Sequence, residues 1–176
     1  MKKKDPLFKA MYRRTFYGGS YYDGLKVGKP EEFDLDLLLD VPKYAEPELL
    51  SSGYPGFVQV RVNKYHAWMK QPEATPSYEK FAKLFDSQCN LNTEKTLAWM
   101  EGLVQKSLND FQNERVAPQI TFSKSGPALT LHVSESNKKI MDIDLVPCFV
   151  FGSDKWPKGF RSNPVPSKVN VQGVYL

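Results

Sequence analysis

The sequence predicts an α+β domain built around a mixed, largely antiparallel sheet flanked by helices. Three observations point there. Residues 33–41 and 57–62 alternate between two faces, residues 92–114 repeat apolar side chains at steps of three and four, and three further extended apolar runs follow. No internal repeat or low-complexity tract interrupts this order.

Taken in sequence, residues 5–15 read as a short helix, with Leu7, Phe8, Met11 and Tyr12 on one face and Lys9, Arg13 and Arg14 toward solvent. A turn at Gly18-Gly19-Ser20 follows, then Tyr21-Tyr22 and a polar loop carrying Gly24, Gly28 and Pro30. Residues 33–41 form a strand whose faces differ: Phe33, Leu35, Leu37 and Leu39 against Asp34, Asp36, Leu38 and Asp40. After the Gly53-Tyr54-Pro55-Gly56 turn, residues 57–62 suit a neighbouring antiparallel strand.

Residues 92–114 make the longest helix, with Leu97, Met100, Leu103, Val104, Leu108 and Phe111 on its apolar stripe and Asn92 or Thr93 as N-cap. Strands are expected at 118–122, 128–133 and 139–151, the last rich in β-branched and apolar residues. The tail after Gly152 is rich in Pro, Lys and Ser and shows no period.

Composition narrows the class. A chain of 176 residues, 41% hydrophobic and 13% aromatic, can bury one sizeable core. No window approaches the ~18 apolar residues of a membrane span, and the start, Met1-Lys2-Lys3-Lys4-Asp5, lacks an apolar signal core, so a soluble intracellular protein is expected. Two cysteines, Cys89 and Cys148, and two histidines, His66 and His132, are too few and too scattered for a disulfide framework or a structural zinc site. The net charge of +4 is compatible with polyanionic partners without requiring them.

The acidic strand face needs a physical account, because carboxylates at two-residue spacing repel unless solvent or cations separate them. One reading is an exposed acidic sheet face. The other is a metal site, in which Glu32 and Asp34 project to one side and offer oxygen ligands to a hard cation such as Mg²⁺. A third acid then comes from the apolar run Ile140-Met141-Asp142-Ile143-Asp144-Leu145-Val146-Pro147, where a carboxylate is costly unless paired or metal-bound. Alternation alone does not separate Asp142 from Asp144. Such triads serve nucleotidyl transfer, and the Gly-Ser turn upstream can offer backbone N–H groups and the Ser20 hydroxyl to a triphosphate.

Gly19-Ser20-Tyr21-Tyr22, Lys26, Glu32-Phe33-Asp34 and Val41-Pro42, with Ser125-Gly126-Pro127-Ala128-Leu129-Thr130-Leu131 and Asp144-Leu145-Val146-Pro147, resemble the cyclic GMP-AMP synthase and Mab-21 family. The resemblance implies a nucleotidyltransferase-fold core in which Gly19 and Ser20 grip the triphosphate. It also implies that Glu32, Asp34 and Asp144 bind two Mg²⁺ (or Mn²⁺) ions and serve as the catalytic acids. The third ligand is placed at Asp144 by the Leu-Val-Pro that follows it, with Asp142 as the alternative. On this reading residues 1–176 form a partial domain, with 1–16 a remnant of the family's spine helix, 17–151 the catalytic core, and 152–176 a loop toward a C-terminal helical lobe absent from the chain. A fragment or shortened product is therefore expected.

The implied activity is a cytoplasmic cyclic dinucleotide synthase that joins ATP and GTP when double-stranded nucleic acid docks, with a dimer on the nucleic acid, in innate immune signalling. RNA is favoured over DNA, because the vertebrate DNA sensor's module of one His and three Cys has no counterpart here. Lys9, Arg13 and Arg14 are the candidate nucleic-acid contacts; Lys155, Lys158, Arg161 and Lys168 read as exposed loop. Two other readings stand beside this one: a catalytically silent Mab-21-type binding or developmental protein, and a nucleic-acid-binding module whose acids are incidental. Trp68, Trp99 and Trp156 read as core or lobe-interface residues, His66 and His132 as strand or surface histidines, and Cys148 as a small apolar filler.

Overall fold

The structure, a computed structural model, describes residues 1–18, 24, 31–54, 57–62, 76–111, 118–152 and 155. The elements are α1 (Pro6–Met11), β1 (Tyr12–Gly18), β2 (Glu32–Asp40), a 3₁₀ turn (Lys43–Ala45), β3 (Pro47–Ser51) and β4 (Val58–Val62). They continue with α2 (Pro76–Ala82), α3 (Thr93–Phe111), β5 (Gln119–Ser125), β6 (Ala128–Glu135) and β7 (Lys138–Val150). The α+β expectation holds. A five-stranded sheet runs in the order β1-β2-β7-β6-β5, antiparallel except for the parallel β2–β7 pair, and β3–β4 form a separate antiparallel ribbon.

Local chemistry explains most boundaries. Asp5 caps α1, its side chain accepting from the Phe8 N–H at 2.9 Å, and Pro6 supplies a pre-set φ at the first helical position. The expected 5–15 helix stops at Met11. Tyr12, Thr15, Phe16 and Tyr17 favour extended backbone, and pairing with β2 satisfies their main-chain groups, so 12–18 becomes an edge strand and Gly18 belongs to it rather than to a turn. Arg13 and Arg14 consequently leave the helix and stand exposed on β1, while Lys9 is exposed on α1.

Asn92 is the N-cap of α3, its Oδ1 accepting from the Lys95 N–H at 2.9 Å, and Met100, Leu103, Val104 and Leu108 are buried as the period requires. Ser136 and Asn137 both take positive φ, the signature of a type I′ hairpin turn joining β6 to β7. The 57–62 run pairs with β3, a strand the sequence reading missed, rather than joining the main sheet. The α2 helix was also missed. No helix among the described residues is long and apolar enough to cross a membrane.

The described helices pack on one face of the sheet. Leu7, Phe8 and Met11 of α1, Phe81 of α2 and Met100 and Leu103 of α3 share a core with Leu37, Leu39, Leu129, Leu145 and Phe149. Those strand residues sit at alternate positions, so Glu32, Asp34, Thr130, His132, Asp142 and Asp144 project from the opposite face.

Candidate functional site

Register brings the acids together. In the parallel pair, Glu32 lies opposite Asp142 and Asp34 opposite Asp144. Pairing then continues outward: Asp144 meets Thr130, Thr130 meets Ser123, and Asp34 meets Gly18. One row of residues thus crosses all five strands, from Gly18 through Asp34, Asp144 and Thr130 to Ser123. Glu32, Asp142 and His132 form the adjacent row on the same face. Glu32, Asp34, Ser123, Thr130, His132, Asp142 and Asp144 line a common cleft of about 400 Å³.

Four carboxylates in two facing pairs, on strands about 4.8 Å apart, repel unless something neutral or positive intervenes. For Asp142 that is done within the chain. Its Oδ2 meets Lys139 Nζ at 2.8 Å, and its Oδ1 meets His132 Nδ1 at 2.9 Å. The Lys139 ammonium first, and His132 second, hold the Asp142 carboxyl below the usual carboxylate range. His132 Nε2 in turn lies 2.9 Å from Ser123 Oγ, which fixes the imidazole between the two.

Asp144 is treated differently. Thr130, 8% exposed, donates its hydroxyl to Asp144 Oδ1 at 2.6 Å, and the second carboxylate oxygen has no side-chain donor among the described residues. Glu32 and Asp34 accept no side-chain hydrogen bond among the described residues either. One turn of the pleat further on, the pattern changes character. Burial pushes the Asp36 carboxyl up, partly offset by the hydrogen bond from Cys148 and reinforced by the charge of Asp34. Burial, with Asp36 beside it, pushes the fully buried Cys148 thiol to about 12. Leu38, Cys148 and Val150 close that end with a small apolar cluster, so Glu32 and Asp34 face the cleft while Asp36 sits half-buried against Cys148.

The donor set fits a hard divalent cation: three carboxylates with uncommitted oxygens share one cleft, and among the described residues none is neutralised by a cation at hydrogen-bond distance. As placed, no three of the described His, Cys, Asp or Glu side chains stand close enough together to form a ready ligand cage. Glu32, Asp34 and Asp144, the three expected ligands, share the cleft; Asp142 shares it too, with both oxygens engaged. Gly19 and Ser20 lie outside the described residues, as do Tyr21, Tyr22 and Lys26, but β1 ends at Gly18 directly opposite Asp34.

Lys9, Arg13 and Arg14 do not gather on one helix face: Arg13 approaches Asp40 at 3.7 Å and Arg14 stacks over Phe16 at 5.9 Å. His66, Trp68, Trp156, Lys158, Arg161 and Lys168 lie outside the described residues. Sequence reasoning passed over Thr130, Ser123 and Lys139, and left His132 without a carboxylate partner. Cross-strand pairing, invisible at sequence spacing, supplies Asp142 to it.

Residues 21–173 match the Mab-21 protein nucleotidyltransferase domain. A cyclic GMP-AMP synthase-like receptor of Tribolium castaneum is 54% identical over 180 residues, covering 95% of this chain and 45% of that protein. Receptors of the same description from Aethina tumida and Nicrophorus vespilloides are 38% and 35% identical, covering 96% and 99% of this chain and 44% and 48% of theirs. The chain spans less than half the length of these relatives.

Proposed function

The chain belongs to the Mab-21 nucleotidyltransferase family, and from that premise we propose that it carries the acid-bearing half of the active site of a cyclic GMP-AMP synthase-like receptor. In this reading the whole protein joins ATP and GTP into a cyclic dinucleotide when double-stranded RNA docks, as a cytoplasmic sensor in innate immunity. The family supports nucleotidyl transfer, and the relatives' description as receptors supports an activating ligand.

The observation that carries the catalytic part is the parallel register of Asp34 with Asp144, Glu32 one row away, in one cleft, with β1 ending at Gly18 opposite Asp34. Glu32, Asp34 and Asp144 would hold two Mg²⁺ or Mn²⁺ ions, which when bound acidify a ribose hydroxyl and neutralise the leaving pyrophosphate. The remaining work belongs to side chains. Thr130 holds one oxygen of Asp144 and leaves the other for a ligand, while Lys139 and His132 keep Asp142 ionised and out of the ligand set. Gly19 lets backbone N–H groups approach the triphosphate, and the Ser20 hydroxyl orients it.

The test uses the full-length protein with ATP, GTP, Mg²⁺ and double-stranded RNA. A cyclic product is expected from the wild type and none from Glu32→Ala or Asp34→Ala, both folded by circular dichroism. Undiminished turnover in either variant would refute the assignment of the acids, and folded wild type without any product would favour a silent binding protein.

A further inference from the structure

A second cavity lies in the helical layer, on the sheet face away from the acids. It has a volume of about 330 Å³ and is walled by the N-cap of α1, by α2, α3 and the turn after α2. Its charge is the opposite of the cleft's: Lys80, Lys83, Lys95 and Lys106 line it against a single acid, Asp5.

The stripe of α3 that faces this space is built for access. Lys95, Ala98, Gly102 and Lys106 recur at steps of three and four, which puts them along one side of the helix, with the two small residues between the lysines. Glycine is unfavourable inside a helix, and close packing does not demand it here, because a Cβ added to Gly102 would meet nothing within 4 Å. Its effect is to keep the floor of the cavity open. Trp99 also lines the cavity, its ring packed against the core beside Phe8. Two of the cations are committed, Lys80 to Asp5 and Lys95 to the Phe85 carbonyl; Lys83 and Lys106 have no acidic partner among the described residues.

We propose that this cavity is a binding site for a compact polyphosphate, distinct from the catalytic cleft. Each feature answers a need of that ligand class. The uncommitted ammonium groups of Lys83, in the turn after α2, and Lys106, on α3, supply charge to clustered phosphates, and Asp5 anchors Lys80 at the rim. A concavity of this size holds a small ligand rather than presenting the extended cationic track that a duplex backbone requires. Occupancy would tie α2 to α3 and thereby brace the sheet from behind.

The experiment measures inorganic tripolyphosphate binding by the full-length protein in EDTA, where metal-assisted binding in the acidic cleft is suppressed, by calorimetry and by the rise in Tm. Binding is expected for the wild type and unchanged for Asp34→Asn. It should fall at least tenfold in a Lys83→Gln/Lys106→Gln double variant and in Gly102→Glu, which places a carboxylate over the floor. The double variant removes only exposed charges, so it keeps the fold if Gly102→Glu does not. Equal binding by wild type and double variant, or no wild-type binding at millimolar tripolyphosphate, overturns the proposal. So does loss of duplex RNA binding in the double variant with tripolyphosphate binding intact, which would make the surface a nucleic-acid face.

Discussion

Two substitutions separate the acids of β7. Asp144→Asn and Asp142→Asn remove the same charge two residues apart on the same face, yet the structure gives them different consequences. Among the described residues Asp144 keeps one oxygen uncommitted beside Asp34 and has no cationic neighbour at hydrogen-bond distance, so its charge is available to an incoming dication. At an effective dielectric of about 20, two unit charges about 4 Å apart attract by about 4 kcal/mol. Discounting that to about 3 kcal/mol for the open cleft still leaves a loss of roughly a hundredfold in Mg²⁺-dependent nucleotidyl transfer. Asp142 spends its charge on solvated Lys139 and on His132, and asparagine retains an acceptor for one of them, so the loss should stay under about fivefold. The assay is initial-rate product formation by the full-length protein across a Mg²⁺ titration, with Tm measured in parallel. Asp144→Asn should move the Mg²⁺ dependence to higher concentration while leaving Tm nearly unchanged. If Asp142→Asn is the more damaging, or the two are equal, the division of roles drawn from the hydrogen bonds is wrong.

Thr130→Val deletes the donor to Asp144 while keeping a β-branched side chain in the strand. A hydrogen bond to a charged group is worth about 1.5 kcal/mol at the low end, so transfer should fall about tenfold, with Thr130→Ser restoring most of it; equal rates in all three proteins would make the 2.6 Å contact incidental. Asp5 offers a pH-dependent test of stability. Burial pushes its carboxyl up, but the Lys80 ammonium and the Phe8 N–H outweigh that and leave it below the usual carboxylate range. A depressed acid stabilises the fold above its unfolded-state value and loses that contribution as pH falls through the lower folded value. Asp5→Ala should therefore cost about 2 kcal/mol at pH 7, from the lost cap and the stranded lysine, and the gap to wild type should close below about pH 3 in urea titrations. A gap that stays constant with pH would mean that the charge of Asp5 is not what stabilises the α1 cap.

The elements with a strong period were legible, and their pairing was not. Alternation over β2 and β7 and the three-to-four spacing of α3 follow from burial on one face, which any sequence must declare in its side chains. The helix drawn through 5–15 failed because its apolar spacing is equally served by a six-residue helix followed by an edge strand, and only the partner strand decides between them. The acids of β7 show the limit best. A two-residue turn at Ser136-Asn137 pairs Glu135 with Lys138 and, carried on evenly, would set His132 opposite Met141 and Thr130 opposite Ile143. A one-residue shift between Val133 and Ser134 moves the rest of β6 into line, so that His132 meets Asp142 and Thr130 meets Asp144. No local signal announces that bulge, and without it the hydroxyl and the imidazole would lie in the helical core.

The single parallel pairing in the sheet explains why the site sits where it does. Parallel strands start at the same end, so Glu32 and Asp34, near the beginning of β2, come level with Asp142 and Asp144, in the first half of β7. Antiparallel pairing over the same length would have set Glu32 and Asp34 among the buried residues 148–150, where uncompensated carboxylates are costly. The same order lets each strand carry two tasks in succession, polar groups first and then the apolar stretches Leu37-Leu38-Leu39 and Cys148-Phe149-Val150 that anchor both strands. Asp36, held between these halves with its carboxyl pushed up and bound by Cys148, marks the boundary. Carboxylates on the cleft side of it stand open to solvent, and the buried leucines beyond it keep the two strands in the register on which the acid row depends.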